Sequence, residues 1–307
     1  MKVLVCANQK GGATKTSTAA HLAAGAALRG KRTALVDLDG QCNLTELFGF
    51  SPEELTRQGK FSVLDLILGK KSADQVLIDL PGRFGGNLFL IAGNPSVSNA
   101  GPTIELEIAK QSLEQGFSTL AAEERKDAVR MNLRTALQAL DESFDLVVID
   151  PPPSLGFELT VALAAADAYV VPMTPNKFDL SGFKKLEETV RLTKKRYNAE
   201  LDFLGIVVGR VRDNTKLHKE TLQQLESRFG SKFLKPFIRE SIRFGECPYH
   251  GQTIYELVPD DAPANDYAAL TDAMLARLLR STAAAPAPEH VRPDAATEER
   301  RLVVGEG

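Results

Sequence analysis

The segment Lys10–Ser17 constrains the fold of this chain more than any other stretch of its sequence. It reads KGGATKTS, follows the apolar run Val3–Ala7, and leads into the small-residue stretch Thr16–Arg29, which has helical character. The local order is therefore strand, glycine loop, helix. The backbone N–H groups of such a loop and of the helix start converge on one concavity that suits a polyphosphate. The sequence thus predicts a phosphate-binding loop at this position.

Two side chains of the loop carry the chemistry of phosphate binding. Lys15 supplies a point charge for β- and γ-phosphates, and the Thr16 hydroxyl is placed to ligate Mg²⁺. The loop departs from the pattern G-x-x-x-x-G-K-[ST], because Gln9 and Thr14 stand at its two glycine positions and Lys10 adds a cation. Alternatively, this segment is a turn at the start of a helix that binds no ligand. The acidic segments described next disfavour that interpretation.

Two acidic segments are predicted to reach the same edge of the sheet as the loop. A second strand, Arg32–Val36, leads into Asp37 and Asp39, and the apolar strand Phe144–Asp150 ends in a third carboxylate, Asp150. Ligands of parallel sheets bind beyond the carboxyl ends of the strands. Asp39 and Asp150 are therefore candidates for holding Mg²⁺ or positioning a water. Alternatively, each of these two carboxylates only caps the end of a helix or a strand.

Apolar runs alternate with amphipathic segments along most of the chain, which predicts an α/β fold with a doubly wound, mostly parallel sheet and helices on both faces. About seven or eight strands are expected; besides those above they lie at 88–91, 168–172, 203–209 and 233–238. Helices are predicted at 16–29, 44–49, 62–68, 98–116, 123–141, 158–166, 178–197, 217–229 and 266–279. We expect one domain over 1–280 and a disordered tail, rich in Ala, Pro and charge, over 281–307.

Composition narrows the cellular setting. The 307 residues are 43% hydrophobic and 25% charged, as in an ordinary globular protein. No apolar run approaches the roughly 20 residues of a membrane-spanning helix, and the chain starts directly in a predicted strand without a signal peptide. The three cysteines have no metal-ligand spacing and suit a reducing compartment. We therefore expect a cytoplasmic protein.

Charge is distributed unevenly along the chain. The net charge is −3, yet residues 183–243 contain fifteen Lys/Arg and eight Asp/Glu, a local net charge of +7. A basic region on an acidic protein suggests one face that meets polyanions. Solvated helix faces are the simpler explanation for any single lysine in this region.

Three ordered motifs together resemble the ParA family, the partition ATPases of the deviant Walker A (ParA/MinD) class. They are NQKGGATKT at 8–16, DLDGQCN at 37–43 and DLVVIDPPPSLG at 145–156. The segment ECPYHGQTI at 246–254 is similar to the C-terminal signature of the family. The resemblance spans residues 2–280.

The resemblance implies an ATP hydrolase that forms a homodimer around ATP and Mg²⁺. Its catalytic residues would be Lys10, Lys15 and Asp39: Lys10 reaches the ATP of the second protomer, and Asp39 positions the attacking water. The implied metal site consists of Thr16, Asp39 and Asp150. The implied nucleotide-binding residues are Lys10, Gly11, Gly12, Ala13, Thr14, Lys15, Thr16 and Ser17, of which Ser17 meets the α-phosphate.

The resemblance also implies partners. The dimer would bind DNA without sequence preference, associate with the nucleoid, and be released by a ParB-like partner protein that stimulates hydrolysis. The implied DNA contacts are Arg210, Arg212, Lys216, Lys219 and Arg243. The cargo would be a plasmid or a chromosome origin.

Two alternatives stay open at this point. Thr14 replaces the family glycine beside the loop lysine, so a nucleotide-binding switch with little hydrolysis is one of them. The other is a positioning ATPase of the MinD type, which needs a C-terminal amphipathic membrane helix. Because the tail has only three consecutive apolar residues, at 302–304, we expect no membrane attachment.

Overall fold

The structure, a computed structural model, describes residues 1–12, 14–115, 118–175 and 180–280. The strands are β1 (Lys2–Cys6), β2 (Thr33–Asp37), β3 (Leu77–Asp79), β4 (Leu88–Ile91), β5 (Leu146–Asp150), β6 (Ala168–Met173) and β7 (Asp202–Val208). The helices are α1 (Lys15–Leu28), α2 (Asn43–Leu47), α3 (Pro52–Arg57), α4 (Val63–Ile67), α5 (Ala100–Gln115), α6 (Thr119–Leu137), α7 (Phe157–Ala165), α8 (Leu180–Arg196), α9 (Lys216–Phe229), α10 (Arg243–His250), α11 (Ile254–Leu257) and α12 (Ala262–Arg280).

The strands form one sheet in the order β3-β4-β2-β5-β1-β6-β7. All neighbouring pairs are parallel except β3 with β4, which confirms the doubly wound, mostly parallel fold. β1 lies between β5 and β6, and β2 lies on the other side of β5, with Asp37 directly opposite Asp150. The ends of β1, β2 and β5 therefore meet at one edge of the sheet, called here the carboxyl edge.

Two apolar layers cover the faces of the sheet. Alternate residues of β1 point to opposite faces, so that Leu4 packs in the layer of α1 and α12 whereas Val5 packs in the layer of α5–α8. The alanines of α1 are nearly all fully buried, and these small side chains let the helix lie close to the strands. This packing holds the N-terminal end of α1 at the carboxyl edge.

One predicted strand was wrong, and one observed strand was not predicted. The segment predicted as a strand at 233–238 is not one; only Phe233 bridges to β7, and Pro236 supplies no N–H for a ladder. The edge strand β3 was not predicted, because three residues are too few to show an alternating pattern. The helices α10 and α11 were also missed. Position 116, positions 178–179 and the predicted tail 281–307 lie outside the described residues.

Arg83 ties the β3–β4 connection to the C-terminal part of the chain. Its guanidinium donates to both carboxylate oxygens of Glu256, each at 2.7 Å, and to the Gly251 carbonyl at 2.9 Å. Glu256 also accepts from the Thr253 backbone N–H at 2.8 Å, which caps α11. The Arg83 and Glu256 side chains are each only 22% exposed. The pair therefore clamps two distant segments together.

Replacing this arginine should destabilise the fold. Arg83→Ala leaves the Glu256 carboxylate without its cation in a half-buried site, and we expect the free energy of unfolding to fall by about 2 kcal/mol. Urea titration followed by circular dichroism measures the change. The matched control is Arg191→Ala, which removes an exposed pair with Glu188 and should leave the midpoint unchanged. Equal midpoints for the two variants would contradict the clamp.

Candidate nucleotide-binding site

The loop that follows β1 is anchored at its start by Asn8. The side-chain amide of Asn8 donates to the Pro172 carbonyl of β6 at 2.5 Å, and its Oδ1 accepts from the Lys10 backbone N–H at 2.9 Å. Gly12 has a φ of +73°, a conformation that glycine adopts without strain. The residue-by-residue predictions of the site omitted Asn8, although it opens the first motif. Its role is to set the path of the loop relative to β6.

The loop residues divide into an exposed part and a buried part. Lys10, Gly11 and Gly12 are exposed, and Ala13 lies outside the described residues. Thr14 immediately precedes α1, and the Lys15 side chain that begins the helix is buried, with the residue only 7% exposed. Thr16 and Ser17, both half-buried, complete the first turn. The N–H groups of this turn point out of the helix start, and α1 adds the positive end of its dipole.

The end of β2 and the turn after it hold two carboxylates with different surroundings. Asp37 is fully buried and accepts hydrogen bonds from the Thr45 backbone N–H at 2.8 Å and from the Thr45 hydroxyl at 2.6 Å. Burial raises the pKa of Asp37 to about 7, against these hydrogen bonds. Asp39 is 8% exposed, and its Oδ1 accepts from the Gln41 N–H at 2.9 Å. Asp37 thus stabilises the turn, and Asp39 is held in the same turn through one of its two carboxylate oxygens.

Asp150 supplies a buried carboxylate beside the loop. Burial raises its pKa to about 6, while the Lys15 ammonium and a hydrogen bond with the Thr16 side chain act in the opposite direction. Its Oδ1 has no hydrogen-bond partner among the described residues. A buried oxygen without a partner, next to a threonine hydroxyl, fits an Mg²⁺ ion or a water bound to that ion.

The donor set suits magnesium more than a metal held by protein ligands alone. Among the described residues, no group of three or more His, Cys, Asp or Glu side chains is arranged to hold a metal ion. Mg²⁺ usually keeps several waters and binds through one or two carboxylates and substrate phosphates. One hydroxyl, from Thr16, and one carboxylate, from Asp150, fit such a site.

Glu158 is a further carboxylate that the sequence predictions missed. It lies in the first turn of α7, directly after the loop that follows Asp150, and it is 8% exposed. Burial raises its pKa, and the negative charge of Asp39 adds to this effect. The one signal in the sequence was a single acidic residue in the otherwise apolar helix FELTVALAA. The carboxylates of Glu158 and Asp39 are therefore close enough to influence each other electrostatically.

Comparison with known proteins shows the family to which this chain belongs. Residues 1–203 match the family described as AAA domain. The chromosome-partitioning ATPase Soj of Treponema pallidum is 33% identical over 276 residues, which cover 90% of this chain and 98% of the relative. This chain belongs to the ParA (Soj) family of partitioning ATPases. The sporulation initiation inhibitor protein Soj of Bacillus subtilis is 31% identical and covers 87% of this chain and 95% of its own length.

A solved structure shares the fold over nearly the whole ParA-family chain. It is cobyrinic acid a,c-diamide synthase of Mycobacterium smegmatis with a bound ATP analogue and magnesium. Its identity is 26% and its TM-score 0.71, over 92% of this chain and 96% of the other. The family resemblance inferred from the motifs is thus confirmed, and so is the P-loop fold. Among the described residues, no helix combines the length and apolar character needed to cross a membrane.

The basic side chains singled out in this ParA-family chain lie on two adjoining segments. Arg210 and Arg212 are exposed after β7, and a bridge between Val211 and Arg239 places the segment 238–243 beside them. Arg243, also exposed, begins α10 at the end of that segment. The remaining two, Lys216 and Lys219, are exposed in the first turns of α9.

Acidic side chains partly neutralise this basic surface. Arg212 pairs with Glu240, Arg243 with Glu246 at 2.8 Å and Lys216 with Glu220 at 3.8 Å. Because these pairs are solvent-exposed, they contribute little stability and can be exchanged for a stronger anion. The five cations together form what we call the basic surface.

Proposed function

We propose that this ParA-family protein hydrolyses Mg-ATP and uses the cycle to move or space a DNA cargo. One observation carries the proposal. The phosphate loop with Lys15 and the buried carboxylates Asp39 and Asp150 converge at one edge of the sheet. A loop alone would favour nucleotide binding, whereas a loop with two acids also supports hydrolysis.

Each residue of the site has a separate task in this proposal. Lys15 binds the β- and γ-phosphates, and the N–H groups of Thr16 and Ser17 at the start of α1 donate hydrogen bonds to phosphate oxygens. Thr16 and Asp150 hold Mg²⁺, and that ion supplies neutralising charge to the phosphate oxygens when it is bound. Asp39 orients a water through its second carboxylate oxygen.

The exposed position of Lys10 supports the proposal that hydrolysis involves a homodimer. Its backbone N–H is fixed by Asn8 while the residue itself lies open at the surface. A cation in this position is available to a second protomer, where it would stabilise charge that develops on the phosphates. ATP then holds the two protomers together.

The basic surface supports the proposal that the partner of this dimer is DNA. Contacts from arginine and lysine to phosphates carry no sequence information, so the binding would be non-specific and strongly dependent on salt. The relatives named as chromosome-partitioning proteins suggest the biological setting. We infer that the protein resides on nucleoid DNA and that a ParB-like protein stimulates its ATP hydrolysis.

A single substitution tests the hydrolytic part of the proposal. Asp39→Ala removes the carboxylate that orients water but leaves the loop and Asp150 intact. We expect the ATP turnover number to fall by about 100-fold or more, while ATP affinity changes little. Phosphate release, measured with DNA and Mg²⁺ present, and binding of a fluorescent ATP analogue give the two quantities.

The control for this experiment is Asp79→Ala, which removes an exposed acid from β3 at the far edge of the sheet. It should leave turnover and affinity unchanged. Asp39→Ala that hydrolyses ATP at the wild-type rate would overturn the assignment of the water-positioning group.

A nucleotide-binding switch with little hydrolysis is the second candidate, and Thr14 favours it. This residue has a φ of +61°, which is strained for a β-branched side chain. Strain in the loop can slow the chemical step while binding persists. Turnover of wild-type protein that stays at background with DNA and partner present would select the switch over the ATPase.

A further inference from the structure

The side chain of Thr14 lies against Gly209, the residue that follows β7. A Cβ atom placed on Gly209 would stand 3.1 Å from the Thr14 hydroxyl oxygen and 3.4 Å from its methyl carbon. The threonine thus occupies the space directly over the glycine. Because Thr14 belongs to the phosphate loop, this contact joins the nucleotide site to the end of β7.

Gly209 is required for space and not for backbone conformation. Its φ is outside the left-handed region, and its N–H donates to the Met173 carbonyl of β6 at 2.9 Å. An alanine could therefore adopt this backbone, and the obstacle to its methyl group is Thr14. The two residues are complementary: the Thr14 side chain fits because Gly209, directly after β7, has none.

Strained backbone lies on both sides of this contact. Thr14 has a φ of +61°, and Arg210, the neighbour of Gly209, has a φ of +57°. Such residues persist only where surrounding structure holds them, and they concentrate at switch segments. The Thr14 hydroxyl is also buried without a hydrogen-bond partner among the described residues. The junction therefore stores strain that a small shift of the loop can change.

The segment that begins at Gly209 leads into the basic surface. Val211 donates to the Ile238 carbonyl at 3.1 Å, and its own carbonyl accepts from the Glu240 N–H at 2.9 Å. The Arg212 guanidinium pairs with the Glu240 carboxylate. A displacement of Gly209 would thus reach Arg210 and Arg212 directly and the segment before Arg243 through backbone hydrogen bonds.

We propose that Thr14 is a positioning residue that couples the nucleotide site to the basic surface through Gly209. Phosphates in the loop shift Thr14, Thr14 shifts Gly209, and segment 209–212 presents its arginines in a different arrangement. The inference rests on the proposed function and adds to it the residue pair by which ATP changes DNA affinity. A coupling free energy is reciprocal, so DNA must change ATP affinity by the same factor.

The coupling factor is the quantity to measure. It is the ratio of the DNA dissociation constants without and with a non-hydrolysable ATP analogue, from fluorescence anisotropy of a labelled duplex. We expect Thr14→Gly to reduce this ratio at least about fivefold, because glycine removes the contact. Thr14→Ser keeps the Cβ and hydroxyl and should retain most of the coupling. The affinity of each variant for the ATP analogue is measured in parallel, so that every ratio is taken with the analogue at saturation.

A double substitution tests whether the contact itself is responsible. Gly209→Ala alone should disturb both the melting temperature and the coupling factor, because its methyl group meets Thr14. In the Thr14→Gly background the same alanine should be tolerated and should restore part of the coupling. Additive effects of the two substitutions on the coupling factor would overturn the proposal.

Dimerisation must be separated from this coupling. Sedimentation velocity gives the dimer fraction of each variant, and DNA affinities are compared at matched fractions. A coupling factor that equals the wild-type value after this matching overturns the proposal, since Thr14 would then act only on dimer formation or folding.

A second readout does not depend on DNA. Hydrogen exchange of the amides at 209–215 should slow in wild-type protein when the ATP analogue is added, and this response should vanish in Thr14→Gly. If hydrogen exchange at 209–215 slows with the ATP analogue but the protein binds no DNA, the proposed function is refuted and the coupling between Thr14 and segment 209–212 is not. Nucleotide-dependent DNA binding that Thr14→Gly leaves intact would refute the coupling alone.

Discussion

Lys15→Ala should abolish ATP binding in the micromolar range. The Lys15 ammonium is buried at the start of α1, and its charge acts on the carboxylate of Asp150. Without it the phosphates meet N–H dipoles and Mg²⁺ but no side-chain cation of the same protomer, while Asp150 remains as a nearby negative charge. Losing one partner of a buried charge pair weakens binding by about 30-fold to several thousand-fold. Isothermal titration calorimetry with an ATP analogue and Mg²⁺ measures the loss.

Two controls make the result interpretable. Lys31→Ala removes a half-buried lysine before β2, at the edge of the sheet opposite the site, and should bind ATP normally. Lys15→Gln keeps most of the side-chain volume, so it separates the loss of charge from the loss of packing. If Lys15→Ala keeps its melting temperature and still binds ATP with wild-type affinity, the loop is not the phosphate site.

The fold was predictable wherever a strand is buried on both faces. β4 and the end of β5 at Asp150 lie where the sequence predicts them, because a short, continuous apolar run between turns is typical of a buried strand. β3 and the segment at 233–238 show the limit. A three-residue edge strand leaves no periodic signal, and an apolar segment beside β7 can pack against the sheet without joining its ladder.

The candidate site was predictable to the level of its motifs, but not of its contacts. Lys15, Asp39 and Asp150 meet because parallel topology brings strand ends together, which the order of the motifs already implies. The hydrogen bond from Asn8 to Pro172 and the contact of Thr14 with Gly209 join residues far apart in sequence. No local pattern encodes such pairs, because they depend on how β6 and β7 pack beside β1.

Arg243→Glu should remove most non-specific DNA binding while ATP-dependent dimerisation survives. Arg243 begins α10 on the exposed basic surface, and its ion pair with Glu246 on the same helix is open to solvent. The substitution replaces a phosphate-binding cation by an acid beside Glu246 and repels the DNA backbone. We expect at least about tenfold weaker binding at 0.1 M salt and a salt dependence shallower by about one to two ions released.

The matched control for this charge reversal is Arg57→Glu, which also breaks an exposed ion pair across one helical turn, with Glu54 of α3. Net charge changes equally in both variants, so a general electrostatic effect would weaken both alike. Binding that falls only in Arg243→Glu assigns the effect to the basic surface, where local geometry and not total charge sets affinity. If Arg243→Glu also loses nucleotide-dependent dimerisation, α10 supports the fold or the dimer, and the DNA contact must be sought among the other four cations.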